Sequence, residues 1–171
     1  MRNSNEAGSA AFHYLACYVA DESAMLRFGS NIATILQPGL TIFLQGNLGA
    51  GKTTLARGVL RGLGYPGKVK SPTYNLVEVY KFSRLYFYHF DFYRFNNAIE
   101  WEEAGFREYF NPDSICLVEW PEKAAGVLPV ADLVFCLAIS DGGRKIDIHA
   151  ATEGGKQCLR ELRNLVVPRA W

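Results

Sequence analysis

The sequence predicts an α/β fold in three layers, with a mixed, mainly parallel central sheet that carries an inserted β-hairpin. Three observations point there. Short apolar runs at residues 40–44 and 114–119 read as buried strands. Between such runs lie segments whose apolar residues recur every three or four positions, as in helices packed on a sheet. Two further strand-like runs, 74–80 and 85–92, are separated only by residues 81–84, a connector that permits a hairpin but not a parallel crossover.

The elements follow in order. Residues 1–9 are mostly small and polar and read as a mobile tail, after which residues 14–19 form a strand. Asp21 is placed to cap a helix whose inner face carries Met25, Leu26, Gly29, Ile32, Ala33 and Leu36, and Pro38-Gly39 ends it. Strand 40–44 runs into a glycine-rich turn, and residues 52–63 read as a helix closed by Gly64. Glycine, proline and serine crowd residues 64–73, which marks an exposed, mobile loop. Beyond the hairpin, residues 98–110 are expected to be helical and 114–119 a strand ending in an acid. Strands 133–139 and 145–150 flank the turn Asp141-Gly142-Gly143, and a helix at 157–165 closes a single domain spanning 1–171.

Composition narrows the function classes. Lys and Arg total 18 against 17 for Asp and Glu, so a net charge of +1 gives no long-range field to gather polyanions. Any RNA contact must therefore be local or made through a partner. Cys17, Cys116, Cys136 and Cys158 lie far apart with no C-x-x-C pair, and read as buried apolar residues in a reducing cytoplasm. His13 and Tyr14 interrupt the apolar run at 10–20, which argues against a signal peptide. No run reaches the ~18 apolar residues of a membrane span.

The chemistry concentrates at Gly46-Asn47-Leu48-Gly49-Ala50-Gly51-Lys52-Thr53, a full G-x-x-x-x-G-K-[ST] match between an expected strand and an expected helix. Such glycines let successive backbone N–H groups converge on phosphate oxygens, while the helix N-terminus adds partial positive charge. Lys52 reaches the terminal phosphates and the Thr53 hydroxyl can ligate Mg²⁺. The fold class thus narrows to a single P-loop NTPase domain, with ATP and Mg²⁺ as cofactors. Magnesium needs a second hard oxygen ligand, and Glu119, ending an apolar strand, supplies one directly or through water. Alternation sets His89, Asp91 and Tyr93 on one strand face and phenylalanines on the other. Asp91 is then either a catalytic carboxylate or a buried acid paired with Arg94 or a backbone amide, and His89 reads as a structural histidine. Thr73, in Ser71-Pro72-Thr73-Tyr74, is a candidate to close over Mg²⁺ or the attacking water. Trp120 reads equally as core packing or as an aromatic contact for a partner.

Together, Gly46 to Thr54, Val69-Lys70-Ser71-Pro72-Thr73-Tyr74, His89-Phe90-Asp91-Phe92-Tyr93-Arg94 and Val118-Glu119-Trp120 resemble the bacterial TsaE (YjeE) family, over roughly residues 21–144. The resemblance implies an ATPase that acts with the TsaD and TsaB proteins to place threonylcarbamoyl on the adenosine beside the anticodon of tRNAs reading codons that begin with A, without transferring the group itself. It implies that tRNA is met through that complex. It makes Gly49, Ala50, Gly51, Lys52, Thr53 and Thr54 the phosphate cradle, with Asn47 and Leu48 in the same loop, Thr53 and Glu119 the magnesium site, and Asp91 an active-site acid. Glu22, Gly143 and Arg144 match positions near adenine and ribose. The family's usual Asp is Asn47 here, its Phe-Asp-Leu-Tyr-Arg is Phe-Asp-Phe-Tyr-Arg, and the extra N-terminal residues lie outside the pattern.

Other readings are constrained. A GTPase would carry an Asn-Lys-x-Asp motif, which the sequence lacks, and a small kinase would carry an arginine-bearing lid, yet no arginine lies between Glu119 and Arg144. A nucleotide-sensing module without useful turnover remains a third reading, and phosphate release measured with and without partners separates it.

Overall fold

Glycine decides how closely the first two helices can approach. Helix α1 (Glu22–Ala33) begins at the Asp21 cap, whose Oδ1 accepts from the Ala24 N–H at 2.7 Å. Helix α2 (Lys52–Gly62) crosses it where Gly29 faces Gly58, and a Cβ on Gly58 would lie 2.6 Å from the Leu26 carbonyl oxygen. No larger side chain fits that crossing.

The computed structural model describes residues 13–166; the expected tail at 1–9 lies outside them. Seven strands are found among the described residues: β1 (Tyr14–Val19), β2 (Thr41–Gln45), β3 (Val77–Phe82), β4 (Leu85–Asp91), β5 (Ser114–Glu119), β6 (Leu133–Ser140) and β7 (Gly143–Ala150). They form one sheet in the order β1-β7-β6-β2-β5-β4-β3. The four central strands β6, β2, β5 and β4 run parallel, and β3, β7 and β1 add antiparallel pairings at the two sides. The sheet is mixed, with the expected β3–β4 hairpin at one edge.

Two cores sandwich this sheet. On one face α1, α2 and α4 (Glu153–Val166) cover Ile42, Leu44, Phe87, Ile115, Leu117 and Ile148. On the other, α3 (Ala98–Glu103) and a 3-10 turn at Phe106–Tyr109 enclose an aromatic cluster built on Phe90, Phe92 and Trp101. Burying such rings contributes on the order of 1.5–3 kcal/mol each. The phenylalanines at 90 and 92 therefore hold the hairpin strand from behind while His89 and Asp91 face the helices.

Several local expectations need correction. The helix expected at 98–110 breaks at Gly105, which adopts a left-handed backbone with φ 65 and starts the 3-10 turn. The first hairpin strand begins at Val77 instead of residue 74, because Leu76 has φ 63 and cannot continue an extended strand. The last helix starts at Glu153, ahead of the expected 157. The loop at 64–73 is not wholly exposed: Val69 and Pro72 are buried, and Tyr65 meets Tyr80 edge-on at 4.8 Å.

Candidate active site

The glycine-rich turn between β2 and α2 is shaped by three left-handed glycines, Gly46, Gly49 and Gly51. At Gly46 the requirement is also steric, since a Cβ there would sit 2.5 Å from the Leu137 carbonyl oxygen on β6. No side chain caps α2, and no acid lies in its first turn. Its first N–H groups are left for an anion, and the helix dipole favours one. The Ala50 N–H is instead spent on the Asn47 carbonyl at 3.0 Å, and the Ala50 methyl is buried.

Arg144, at the start of β7, clasps this turn from outside. Its Nε donates to the Ala50 carbonyl at 3.0 Å, Nη2 to the Gly49 carbonyl at 3.0 Å, and Nη1 to its neighbour Gly143 at 2.8 Å. These bonds fix the carbonyls of Gly49 and Ala50 and so brace the turn. Lys52 lies within the loop, almost fully buried, with Nζ donating to the carbonyls of Gly46 at 2.6 Å and Asn47 at 3.0 Å. Burial holds its ammonium below lysine's ordinary pKa, against the opposing pull of Glu119, Glu122 and Asp91. The Trp120 ring covers it, 4.0 Å from Nζ to the ring centroid.

Thr53 and Glu119 meet across the cleft floor. Thr53 Oγ1 is 3.0 and 3.1 Å from the two carboxylate oxygens of Glu119, which is 2% exposed. These are two hard oxygen donors of the kind magnesium selects, and they suit the metal. Asp91 is equally buried, and its Oδ1 accepts from the Tyr93 N–H at 2.9 Å. Its Oδ2 accepts from the Ser71 hydroxyl and, at 3.4 Å, from Thr73. The backbone-amide alternative is thus present, whereas Arg94 lies over the Tyr74 ring at 4.6 Å.

These groups line one cleft of about 590 Å³, within the range of small-molecule sites. Of the residues expected from sequence, Glu22, Leu48, Gly49, Gly51, Lys52, Thr53, Thr54, Thr73, Asp91, Glu119, Gly143 and Arg144 are on its wall; Asn47 and Ala50 are not. Glu22 meets Arg57 there at 3.2 Å. Sequence reasoning passed over Met25, Arg57, Ser71 and Tyr93 as wall residues, and left Trp120 unplaced. Ser71 carried a signal, being two residues from Thr73 in an extended segment. Trp120 carried none: it has a left-handed backbone, φ 57, and its ring lies over Lys52.

The fold and this loop define a P-loop NTPase-type α/β protein. The family model described as "Threonylcarbamoyl adenosine biosynthesis protein TsaE" matches residues 19–146. A Haemophilus influenzae relative named tRNA threonylcarbamoyladenosine biosynthesis protein TsaE is 47% identical over 155 residues, covering 88% of this chain and 98% of the relative. A Treponema pallidum protein of the same name is 33% identical over 135 residues, 78% of this chain and 99% of its own. The crystal structure of Bacillus subtilis YdiB matches with a TM-score of 0.76 at 28% identity, over 89% of this chain and 95% of that one. The chain belongs to the TsaE family. Among the described residues, no helix is long and apolar enough to cross a membrane.

Proposed function

We propose that the protein is a magnesium-dependent ATPase of the cytoplasm, and that its hydrolysis serves formation of N6-threonylcarbamoyladenosine beside the anticodon of tRNAs reading codons that begin with A. In this reading it acts with TsaD and TsaB, meets tRNA through their complex and does not transfer the group itself. The observation that carries the ATPase reading is the convergence, on one cleft, of an uncapped P-loop helix, the Thr53–Glu119 oxygen pair and the Asp91–Ser71–Thr73 cluster. The tRNA reading rests on the names of the relatives.

The parts divide the work. Backbone N–H groups of the P-loop would hold the phosphates, and Lys52, now on the Gly46 and Asn47 carbonyls, would supply its charge to the terminal phosphate. Thr53 and Glu119 would hold a magnesium ion, which would supply charge neutralisation of the phosphates. Asp91 accepts a proton from the attacking water or orients it, with Thr73 and Ser71 fixing the carboxylate. Arg57 and Arg144 on the cleft wall and Arg94 beside it are engaged by Glu22, the P-loop carbonyls and Tyr74 respectively. A partner that supplies charge in trans therefore accelerates the reaction, by about 10³ to 10⁵ in other P-loop enzymes.

The deciding experiment is reconstitution with TsaD and TsaB on unmodified tRNA, measuring threonylcarbamoylation and phosphate release together. Modification should require ATP and this chain, and phosphate release should rise on adding the partners. Full modification with a folded Lys52→Ala protein, or turnover by the isolated chain equal to that of the assembly, overturns the reading.

A further inference from the structure

We propose that His89 is a positioning residue for Glu119, holding the carboxylate from the strand behind it so that it faces Thr53 and the magnesium ion. This rests on the reading of Glu119 as the magnesium-site acid. The His89 side chain is fully buried, and its Nε2 lies 2.7 Å from Glu119 Oε1. In the tautomer with the proton on Nε2, the imidazole donates to Oε1. Oε1 is thereby held between His89 on one side and Thr53 on the other.

The sheet explains the meeting. In the parallel pairing of β4 with β5, Asp91 stands opposite Glu119 and His89 opposite Leu117. His89 is thus the diagonal neighbour of Glu119 on the face that looks toward α2. Among the described residues, Thr53 and His89 are the side chains hydrogen-bonded to Glu119.

The ring nitrogens argue against a merely space-filling histidine. Among the described residues Nδ1 is buried without a hydrogen-bond partner, and the imidazole's polar contact is with Glu119. An apolar ring would fill the same space without burying an unpartnered nitrogen. Outer partners that orient metal-site carboxylates typically change metal affinity by about 10- to 100-fold when removed.

The test compares His89→Phe, which keeps a ring and removes the donor, with His89→Gln, whose amide Nε2 can replace imidazole Nε2. ADP binding is measured by calorimetry in EDTA and across a Mg²⁺ titration, beside thermal melting and a Glu119→Gln control. We expect His89→Phe to bind ADP normally in EDTA but to need roughly 10- to 100-fold more Mg²⁺ to gain its metal-dependent affinity, and His89→Gln to recover most of it. If Glu119→Gln weakens the Mg²⁺ response and folded His89→Phe does not, the positioning role falls alone. If Glu119→Gln changes nothing, the reading of Glu119 falls and takes this one with it. Should His89→Phe fail to fold, His89→Asn, whose shorter amide cannot reach Oε1, replaces it; a wild-type Mg²⁺ response there overturns the proposal.

Discussion

Asp91 and Glu119 are register partners at the ends of adjacent parallel strands, yet their carboxylates look at different chemistry. Glu119 meets Thr53 and His89, whereas Asp91 meets Ser71, Thr73 and the Tyr93 amide. Under the proposed function, these different environments at the same sheet level would suit Glu119 to holding the metal and Asp91 to directing water.

Losing the two acids should therefore have different signatures. Glu119→Gln should weaken magnesium binding, with partial relief by excess Mg²⁺. Asp91→Asn should leave Mg-ATP affinity near wild type and lower turnover. Binding and single-turnover hydrolysis, measured separately across a Mg²⁺ titration, distinguish them. Identical defects would show the roles to be wrongly divided.

Lys52→Ala should abolish most nucleotide-dependent function while the protein stays folded. A charge-assisted phosphate contact contributes roughly 1.5–3 kcal/mol, equivalent to about 10- to 150-fold. Its present partners are two P-loop backbone carbonyls and the Trp120 face, so its loss removes no core side-chain packing and the fold should survive. Near-normal hydrolysis in the folded variant, read as phosphate release, is the opposing result.

Arg144 offers a sharper choice. If it braces the P-loop, as its bonds to Gly49 and Ala50 suggest, Arg144→Gln should weaken ATP and GTP binding by the same factor, on the order of 10-fold. Lysine should not rescue, because it lacks the planar fork that meets two carbonyls at once. A selective loss of ATP over GTP would place Arg144 at the base instead.

Much of this was readable from local sequence, and what was missed is non-local. The P-loop, the hairpin connector and the strand ending in Glu119 all announce themselves within a few residues, because glycine spacing and alternation are short-range signals. The His89–Glu119 bond depends on the register of β4 against β5, 30 residues apart in sequence. Arg144 reaches the P-loop from a strand more than 90 residues away. The left-handed Leu76 and Trp120 are non-glycine residues held there by their surroundings, so no propensity marks them. Gly105 was a visible break signal that the helical pattern around it masked.

A side chain at Gly58 should weaken the crossing of α1 and α2. Gly58→Ala gains helix propensity of about 1 kcal/mol, but its methyl must displace the Leu26 carbonyl, 2.6 Å away. Overpacking costs roughly 1–3 kcal/mol, so the net effect should be a lower melting temperature by several degrees at most. Because α2 carries Lys52 and Thr53, nucleotide affinity should fall with it. An unchanged melting temperature would mean that the helices can part without loss.

The last prediction concerns the thiols, which the site does not use. Burial pushes Cys116 and Cys158 up to about 12, well above the ordinary thiol value of 9.0. Reactivity belongs to the thiolate, so at pH 8 both should resist a disulfide reagent until the chain unfolds, then react at once in guanidinium. The stability consequence has a definite sign. Below pH 9 these thiols are protonated in the folded and unfolded states alike. As pH rises past 9 the unfolded thiols ionise first, so stability falls between about 9 and 12. Melting temperatures between pH 7 and 10.5 should therefore decline more steeply in the wild type than in a folded Cys116→Ala/Cys158→Ala protein. Rapid labelling of Cys116 in the native state, or equal alkaline slopes in the two proteins, would contradict this account.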